Sequence, residues 1–183
     1  MSDLDLERLT ILLVEDSYFI RSLLINSLKA IGVGKIIAVE EAGAAIEFIQ
    51  LVKRDPMKAG TMAIDLILTN WEMSPVDGMM LLRWVRRHKD SPDRFVPIIM
   101  ITAYTEKKRV QEARDLGVNE MLAKPFTIKS LTEKIMLVIN RNRQFVHNST
   151  YFGPDRRRQQ LPFDGTERRK LTDSSPEVEI VRG

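Results

Sequence analysis

Residues 10–16 of this chain are Thr-Ile-Leu-Leu-Val-Glu-Asp, an apolar run that ends in two acidic side chains. The run does not alternate between apolar and polar residues, which is typical of a strand buried on both faces. From Ser17 to Ala30 the apolar residues recur at helical spacing, and Gly32 and Gly34 end that pattern. We therefore expect a buried strand that leads directly into an amphipathic helix.

The same alternation of a short apolar run and a helical pattern continues to about residue 140. Alternation of this length predicts a parallel sheet with helices on both faces. In such sheets ligands bind at the carboxyl ends of the strands, where the strand order reverses. The predicted strands are residues 10–15, 35–39, 64–69, 96–102 and 120–123, and the predicted helices are residues 17–30, 42–53, 78–88, 105–116 and 127–141.

The composition excludes several kinds of site. Among its 183 residues the chain has no cysteine and two histidines, which excludes disulfides, thiolate metal sites and a cysteine nucleophile. The first ten residues are charged and no apolar run is long enough to cross a membrane, which predicts a cytoplasmic protein without membrane insertion. No pair of a nucleophile and a general base is evident, so we expect a binding protein and not an enzyme.

Charge is distributed unevenly along the chain. Residues 1–140 contain 19 basic and 19 acidic residues, whereas residues 141–183 contain nine basic and six acidic residues. The second part also lacks helical or strand periodicity, which predicts a segment that is extended or disordered when alone. We therefore divide the chain into a domain of residues 1–141 and an arginine-rich tail of residues 142–183, and we expect the domain to fold without the tail.

The tail contains a near-repeat with a spacing of twelve residues. Gly-Pro-Asp-Arg-Arg-Arg at 153–158 is similar to Gly-Thr-Glu-Arg-Arg-Lys at 165–170, and Phe152 and Phe163 precede the two copies. Arginine forms bidentate hydrogen bonds with phosphates and with guanine, and its planar group stacks on bases. Such a segment fits an anionic guanine-containing ligand, a nucleic acid strand or an acidic protein surface.

Polar residues stand at the carboxyl ends of four predicted strands. Glu15 and Asp16 follow the apolar run of the first strand, and Asn70 follows the third. Thr102 ends the fourth strand, and Lys124 follows the fifth. Because parallel strands place these ends along one edge of the sheet, the five side chains are candidates for a single site.

These residues and their neighbours resemble the receiver domain of bacterial two-component response regulators, over roughly residues 8–141. The matching motifs are Leu-Leu-Val-Glu-Asp at 12–16, Trp-Glu-Met-Ser-Pro-Val-Asp-Gly at 71–78, Ile-Thr-Ala at 101–103 and Lys-Pro-Phe at 124–126. The resemblance implies an α/β fold with a flavodoxin-like five-stranded parallel sheet, strand order 2-1-3-4-5 and helices on both faces.

The resemblance also implies a role for each residue at the strand ends. In that family two acids after the first strand and an aspartate after the third hold Mg²⁺, and the aspartate accepts a phosphoryl group from a histidine kinase. Glu15 and Asp16 are by resemblance the metal ligands, as oxygen-rich sites for hard cations require. Thr102 and Lys124 are by resemblance the phosphate-binding residues, with Lys124 as a point charge.

Two residues depart from the family pattern. The phosphoacceptor position is Asn70, whose amide cannot serve as the carboxylate nucleophile of an acyl phosphate. The loss of one carboxylate also predicts that Mg²⁺ binding is possible but weak. At the switch position, where the family usually has Tyr or Phe, the chain has Met121, which packs adaptably but lacks the hydroxyl and the rigid ring.

The two departures predict a phospho-blocked, single-domain response regulator that acts as a signalling adaptor outside the usual phosphorelay. Its expected partner is a histidine kinase or another signalling protein. Some receiver-like proteins respond to cyclic di-GMP through arginine-rich extensions, and this resemblance implies the same candidate ligand here. By that resemblance the ligand contacts in the tail are Arg156, Arg157, Arg158, Arg168 and Arg169.

Two alternatives stay open. In one, the chain is an ordinary phosphoreceiver in which Asn70 is an engineered replacement of aspartate, and the tail is a protein-interaction motif. In the other, the tail binds nucleic acid. We consider nucleic acid an unlikely partner because a net charge of +3 is too small for strong nonspecific binding, which scales with the number of phosphates neutralised.

Overall fold

The computed structural model describes residues 6–103, 106–140, 143–155 and 178–181. Five parallel strands form the main sheet in the order β2-β1-β3-β4-β5, which confirms the predicted flavodoxin-like topology. The strands are β1 (Thr10–Val14), β2 (Lys35–Val39), β3 (Leu66–Asn70), β4 (Ile98–Thr102) and β5 (Glu120–Ala123).

Helices cover both faces of this sheet, and β1 shows how the sequence specifies the two layers. Leu12 and Val14 point into a core shared with α2 and α4, whereas Ile11 and Leu13 point into a core shared with α1 and α6. Successive side chains of a strand face opposite sides, so a strand with apolar residues at every position is buried on both. The helices are α1 (Tyr18–Ala30), α2 (Ala42–Arg54), α3 (Pro56–Ala59), α4 (Gly78–Arg87), α5 (Lys107–Asp115) and α6 (Ile128–Asn140).

The loop that the sequence predicts around Pro56 is the short helix α3. Proline at its first position and the side chain of Asp55, which accepts a hydrogen bond from Lys58 N, account for this extra turn. Gly60 ends it in a left-handed conformation. None of the helices in the described ranges combines the length and the apolar character that a membrane span requires.

The larger difference from the sequence-based expectation lies after α6. Residues 143–155 and 178–181, called here the extension, contain a three-stranded antiparallel sheet of order β7-β6-β8. Its strands are β6 (Phe145–His147), β7 (Phe152–Pro154) and β8 (Glu179–Val181).

The extension packs on the main domain through aromatic rings. Phe145 and Phe152 are 3% and 6% exposed, and Phe95 contacts both rings at centroid distances of 5.1 and 5.5 Å. Arg94 lies over Phe152, with its guanidinium carbon 3.9 Å from the ring centroid. A Cβ atom at Gly117 would lie 2.7 Å from the carbonyl oxygen of Phe152. Only glycine at this position therefore lets the extension pack this closely against the Gly117 turn.

Arg86 of α4 supports this junction from inside the domain. It is completely buried, and burial lowers the pKa of its guanidinium to about 9, an effect that the nearby Asp93 opposes. The ring of Phe145 lies 5.3 Å from its guanidinium carbon. Four hydrogen bonds of 2.8–3.0 Å satisfy the group, to the carbonyl oxygens of Arg94, Val96 and Gly117 and to Asn119 Oδ1.

The sequence predicts that residues 142–183 are extended or disordered when alone; within the whole chain the described extension forms strands and packs on the domain. Three-residue strands are too short to show a periodic apolar pattern, and the buried aromatics Phe145, Tyr151 and Phe152 stand at irregular spacing. Their burial depends on Phe95, Arg86 and the Gly117 turn, which are distant in sequence.

Candidate functional site

The carboxyl ends of four strands bring the predicted site residues to one edge of the sheet. Glu15 and Asp16 follow β1, Asn70 is the last residue of β3, and Thr102 is the last residue of β4. Lys124 follows β5, and its backbone N–H donates to the carbonyl of Thr102 at 2.8 Å. Thr102 itself is buried. The predicted convergence of these five residues is thus observed.

Local backbone structure holds the strand ends close to the helices that follow them. Ser17 caps α1, and its N–H donates to Glu15 Oε1 and to Asp16 Oδ1, each at 3.1 Å. Asp77 caps α4, and a Cβ at Gly78 would lie only 2.2 Å from the carbonyl oxygen of Asn70. Only glycine lets the start of α4 approach the end of β3 this closely.

The Asn70 amide forms the centre of the site. Its nitrogen donates hydrogen bonds to Glu15 Oε1 at 3.2 Å and to Asp16 Oδ1 at 3.3 Å. The same nitrogen donates to the backbone carbonyl of Glu72 at 2.8 Å. On its other side Lys124 Nζ donates to Asn70 Oδ1 at 3.0 Å. One neutral amide therefore links two acids and a lysine into a single network.

This arrangement disfavours a cation between the two acids. Three oxygen atoms converge on the amide nitrogen, and oxygen is the ligand that Mg²⁺ and other hard cations require, but N–H groups occupy the space between these oxygens. Turning the amide to offer its oxygen would place the NH₂ group against Lys124, which has only donors. In the described ranges no group of three or more His, Cys, Asp or Glu residues could hold a metal ion.

The Glu15 carboxylate is buried without a full set of hydrogen bonds, which costs stability when it is charged. Its side chain is 1% exposed, and its Oε2 forms no hydrogen bond in the described structure. The nearest cation, Lys124 Nζ, lies 3.6 Å away. Burial raises the pKa of the Glu15 carboxyl, opposed by the Ser17 N–H and by Lys124.

We predict that Glu15→Gln raises the free energy of unfolding at pH 7 by about 1 kcal/mol, because it removes a buried, incompletely solvated charge. A carboxyl whose pKa is raised on folding binds its proton more tightly in the folded protein. The cost is therefore present at neutral pH and disappears as the pH falls through the raised pKa, so the gain should shrink in acid.

Urea unfolding of both proteins at neutral and acidic pH measures this difference. Glu47→Gln, the same change at an exposed position of α2, should leave stability within about 0.5 kcal/mol of the wild type. A loss of stability in Glu15→Gln at pH 7 would show that the ion pair with Lys124 outweighs the burial cost.

Met121, at the predicted switch position, lies on the edge strand β5 opposite Met100. It lines a cavity of about 570 Å³ between α5, β5, the middle of α6 and the extension. The neighbouring Glu120 is buried and binds Lys134 of α6 at 2.7 Å and Arg143 of the extension at 3.2 Å. The extension therefore contacts the strand that carries the switch position.

The sequence pattern did not predict the contribution of the extension to this cavity. Arg143, Tyr151 and Pro154 line it together with residues of α5 and β5. The sequence offered one sign that the extension packs on the domain, the aromatic residue Phe152 before the first copy of the near-repeat. The five arginines proposed as ligand contacts, Arg156, Arg157, Arg158, Arg168 and Arg169, lie outside the described residues.

Comparison with known proteins agrees with the geometry of the strand ends. The family model described as the response regulator receiver domain matches residues 11–136. Chemotaxis protein CheY1 of Helicobacter pylori is 34% identical over 72% of this chain and 98% of the relative. Chemotaxis protein CheY of Pseudomonas aeruginosa is 30% identical over 72% of this chain and 96% of the relative.

Solved structures show the same relationship. Chemotaxis response regulator CheY4 of Vibrio cholerae has a TM-score of 0.57 and 25% identity, covering 71% of this chain and 98% of that one. The receiver domain of sensor histidine kinase PA1611 from Pseudomonas aeruginosa, solved with magnesium in its active-site cleft, has a TM-score of 0.58 and 26% identity, covering 73% and 98%. The chain therefore belongs to the response regulator receiver domain family.

Proposed function

We propose that this response regulator receiver domain signals as an adaptor that does not accept a phosphoryl group. The observation that carries the proposal is the Asn70 amide, which contacts both acids and Lys124 at the position of the acceptor. Phosphoryl transfer to a receiver needs a carboxylate nucleophile, and the amide provides none. The network also gives each acid a hydrogen-bond donor from the amide and places one cation, Lys124, beside Glu15.

We expect the site to bind Mg²⁺ weakly, and only at a high concentration of Mg²⁺. A cation between Glu15 and Asp16 must displace the hydrogen bonds of Asn70 and compete with the charge of Lys124, which lies 3.6 Å from Glu15. The adaptor function that we propose therefore uses no phosphoryl group and no resident metal, and its input must reach the chain elsewhere.

We place partner binding on the surface formed by α5, β5 and α6, which includes Met121. Its cavity is lined by Arg114, by Lys134 and Arg143, which both pair with Glu120, and by apolar side chains that include Met121. The expected partner is a histidine kinase or another signalling protein. Among the relatives, several are chemotaxis proteins and one solved structure is the receiver domain of a histidine kinase.

The input that we propose is cyclic di-GMP, bound by the arginines of the near-repeat. Arginine offers paired donors that match both phosphate oxygens and the O6/N7 edge of guanine, and cyclic di-GMP contains two of each. Arg143 of the extension binds Glu120, the residue before Met121, so the extension contacts the strand of the proposed partner surface.

Calorimetric titration of the full chain with cyclic di-GMP tests the ligand. Changing Arg156–Arg158 and Arg168–Arg169 to alanine should abolish binding, since each charge-assisted hydrogen bond contributes about 1.5–3 kcal/mol. The melting curve should not change. The matched variant with lysine at the same positions keeps the charge but loses the bidentate geometry, and it should bind much more weakly than the wild type.

Two results would redirect the proposal. Equal binding by the lysine variant would show that only charge attraction is involved. Binding of single-stranded RNA in place of cyclic di-GMP, with an affinity that falls steeply with salt, would favour the nucleic-acid alternative.

A further inference from the structure

The cavity beside Met121 is built from two different parts of the chain. Its walls from α5, β5 and α6 lie within residues 11–136, the range that the receiver family model matches. Its remaining wall is formed by Arg143, Tyr151 and Pro154 of the extension, which lie outside that range. One side of the proposed partner surface is therefore not part of the domain that the family shares.

The wall from the extension is packed tightly onto the domain. A Cβ atom at Gly153 would lie 2.6 Å from the Cα of Gly117, so the backbones of β7 and of the turn after α5 are in direct contact. Tyr151 is buried, and its hydroxyl donates to the carbonyl of Pro154 at 2.7 Å. These contacts hold the two walls of the cavity in a defined relation to each other.

Positive charge predominates in the cavity. Its charged lining residues within the described part of the chain are three basic and one acidic, namely Arg114, Lys134, Arg143 and Glu120. Lys134 and Arg143 share the single carboxylate of Glu120, at 2.7 and 3.2 Å. A guanidinium has five N–H donors, so Arg143 keeps donors for a second acceptor.

Arg114 is the cation of the cavity that Glu120 does not reach. It is exposed, and its side chain forms no hydrogen bond or ion pair within the described ranges. Its place in the last turn of α5 suits the helix dipole, but the dipole supplies no acceptor for the guanidinium. Glu112 and Asp115 of the same helix are not among the described residues that line the cavity. Arg114 is thus available to an anion from another molecule.

Apolar side chains line the same cavity beside these cations. They include Val110 of α5, Met121 of β5 and Pro154 of the extension, and the volume of about 570 Å³ is within the range of ligand sites. A ligand that satisfies both kinds of wall carries a carboxylate next to an apolar group. A buried apolar contact beside a charge-assisted hydrogen bond is a common basis of specific protein recognition.

We infer that the cavity binds an acidic amphipathic segment of the partner protein. A carboxylate of that segment binds Arg114 and Arg143, and its neighbouring apolar side chain packs on Met121. Because Arg143 belongs to the extension, the extension makes this chain select a partner different from those of receivers without it. The inference rests on the proposed function, which places partner binding on this surface.

Selection of short random peptides displayed on phage, with the full chain as target, tests the inference. We expect enrichment of peptides in which Asp or Glu stands close to Leu, Ile or Phe. With a synthetic peptide of the enriched sequence as probe, Arg114→Ala and Arg143→Gln should each raise Kd at least about tenfold in calorimetry. Arg143→Lys, which keeps the charge beside Glu120, should lose less. The matched control is Lys108→Ala, an exposed position of α5 outside the cavity, which should leave Kd unchanged.

Charge reversal provides a second measurement that a loss of folding cannot imitate. Arg114→Glu should reject the acidic peptide but bind the same peptide with lysine in place of its acid. If Met121→Ala weakens binding and the arginine variants do not, the inference is wrong and the proposed partner surface stands. If no cavity variant changes Kd, both are wrong, and enrichment of peptides without acidic residues also overturns the inference. Thermal melts of each variant identify any loss of folding.

Discussion

Incubation of the full chain with Mg²⁺ and acetyl phosphate will add no phosphoryl group, whereas Asn70→Asp will gain one. The wild-type side chain is an amide whose oxygen already accepts a hydrogen bond from Lys124 at 3.0 Å. The variant restores a carboxylate nucleophile beside Glu15 and Asp16, with Lys124 in place to bind the phosphoryl oxygens. Intact-protein mass spectrometry measures the difference.

The same variant should lose the hydrogen-bond network around position 70, and its stability should then depend on Mg²⁺. Aspartate at position 70 loses the donors that Asn70 offers to Glu15 and Asp16 and brings a third carboxylate against them. Without Mg²⁺ we expect its free energy of unfolding to fall by about 1–3 kcal/mol. Three carboxylates suit Mg²⁺, so millimolar Mg²⁺ should restore stability and quench Trp71 fluorescence.

Asn26→Asp is the matched control, because it makes the same chemical change at an exposed position of α1 and should respond to neither reagent. A phosphoryl group on the wild-type chain, at Asn70 or at another residue of the pocket, would overturn the proposed adaptor function. Failure of Asn70→Asp both to bind Mg²⁺ and to accept a phosphoryl group would show that the pocket has lost more than its acceptor.

Removal of residues 143–183 will lower the free energy of unfolding by about 3 kcal/mol, which corresponds to a decrease in Tm of roughly 10 °C. The sequence predicts that the domain of residues 1–141 folds without the tail, and the packing of the extension adds that it is then less stable. The extension buries Phe145, Tyr151 and Phe152 to 3%, 8% and 6% exposure. Truncation also exposes the Phe95 ring, which packs against two of them.

Phe152→Ala should reproduce most of this loss in the intact chain. Replacing a buried phenylalanine by alanine costs about 3–5 kcal/mol of stability. Here the loss should not exceed that of removing the extension, because the variant can at most detach the extension from the domain. Phe19→Ala is the control, because Phe19 is 73% exposed on α1 and its removal should change stability by less than about 0.5 kcal/mol. Thermal and urea unfolding give both values. A truncated chain as stable as the wild type would mean that the extension does not support the domain.

The sequence by itself determined the main sheet and the residues at its functional edge. Strands such as Ile98–Thr102 are apolar at nearly every position, and this pattern is local, so the order of the elements and the layers around them follow from it. The acids after β1, the last residue of β3 and the lysine after β5 are adjacent because parallel strands share a direction. That geometry needs no knowledge of side-chain contacts.

Tertiary structure alone decided how those residues interact and where the domain ends. The Asn70 amide directs its nitrogen toward Glu15 and its oxygen toward Lys124 because residues from three different strands surround it. The strands of the extension are too short to carry a periodic pattern, and they are stable only against Phe95 and Arg86, which lie far away in sequence. Local sequence carries propensity and periodicity, whereas hydrogen-bond direction and the burial of isolated aromatics depend on neighbours that only the folded chain supplies.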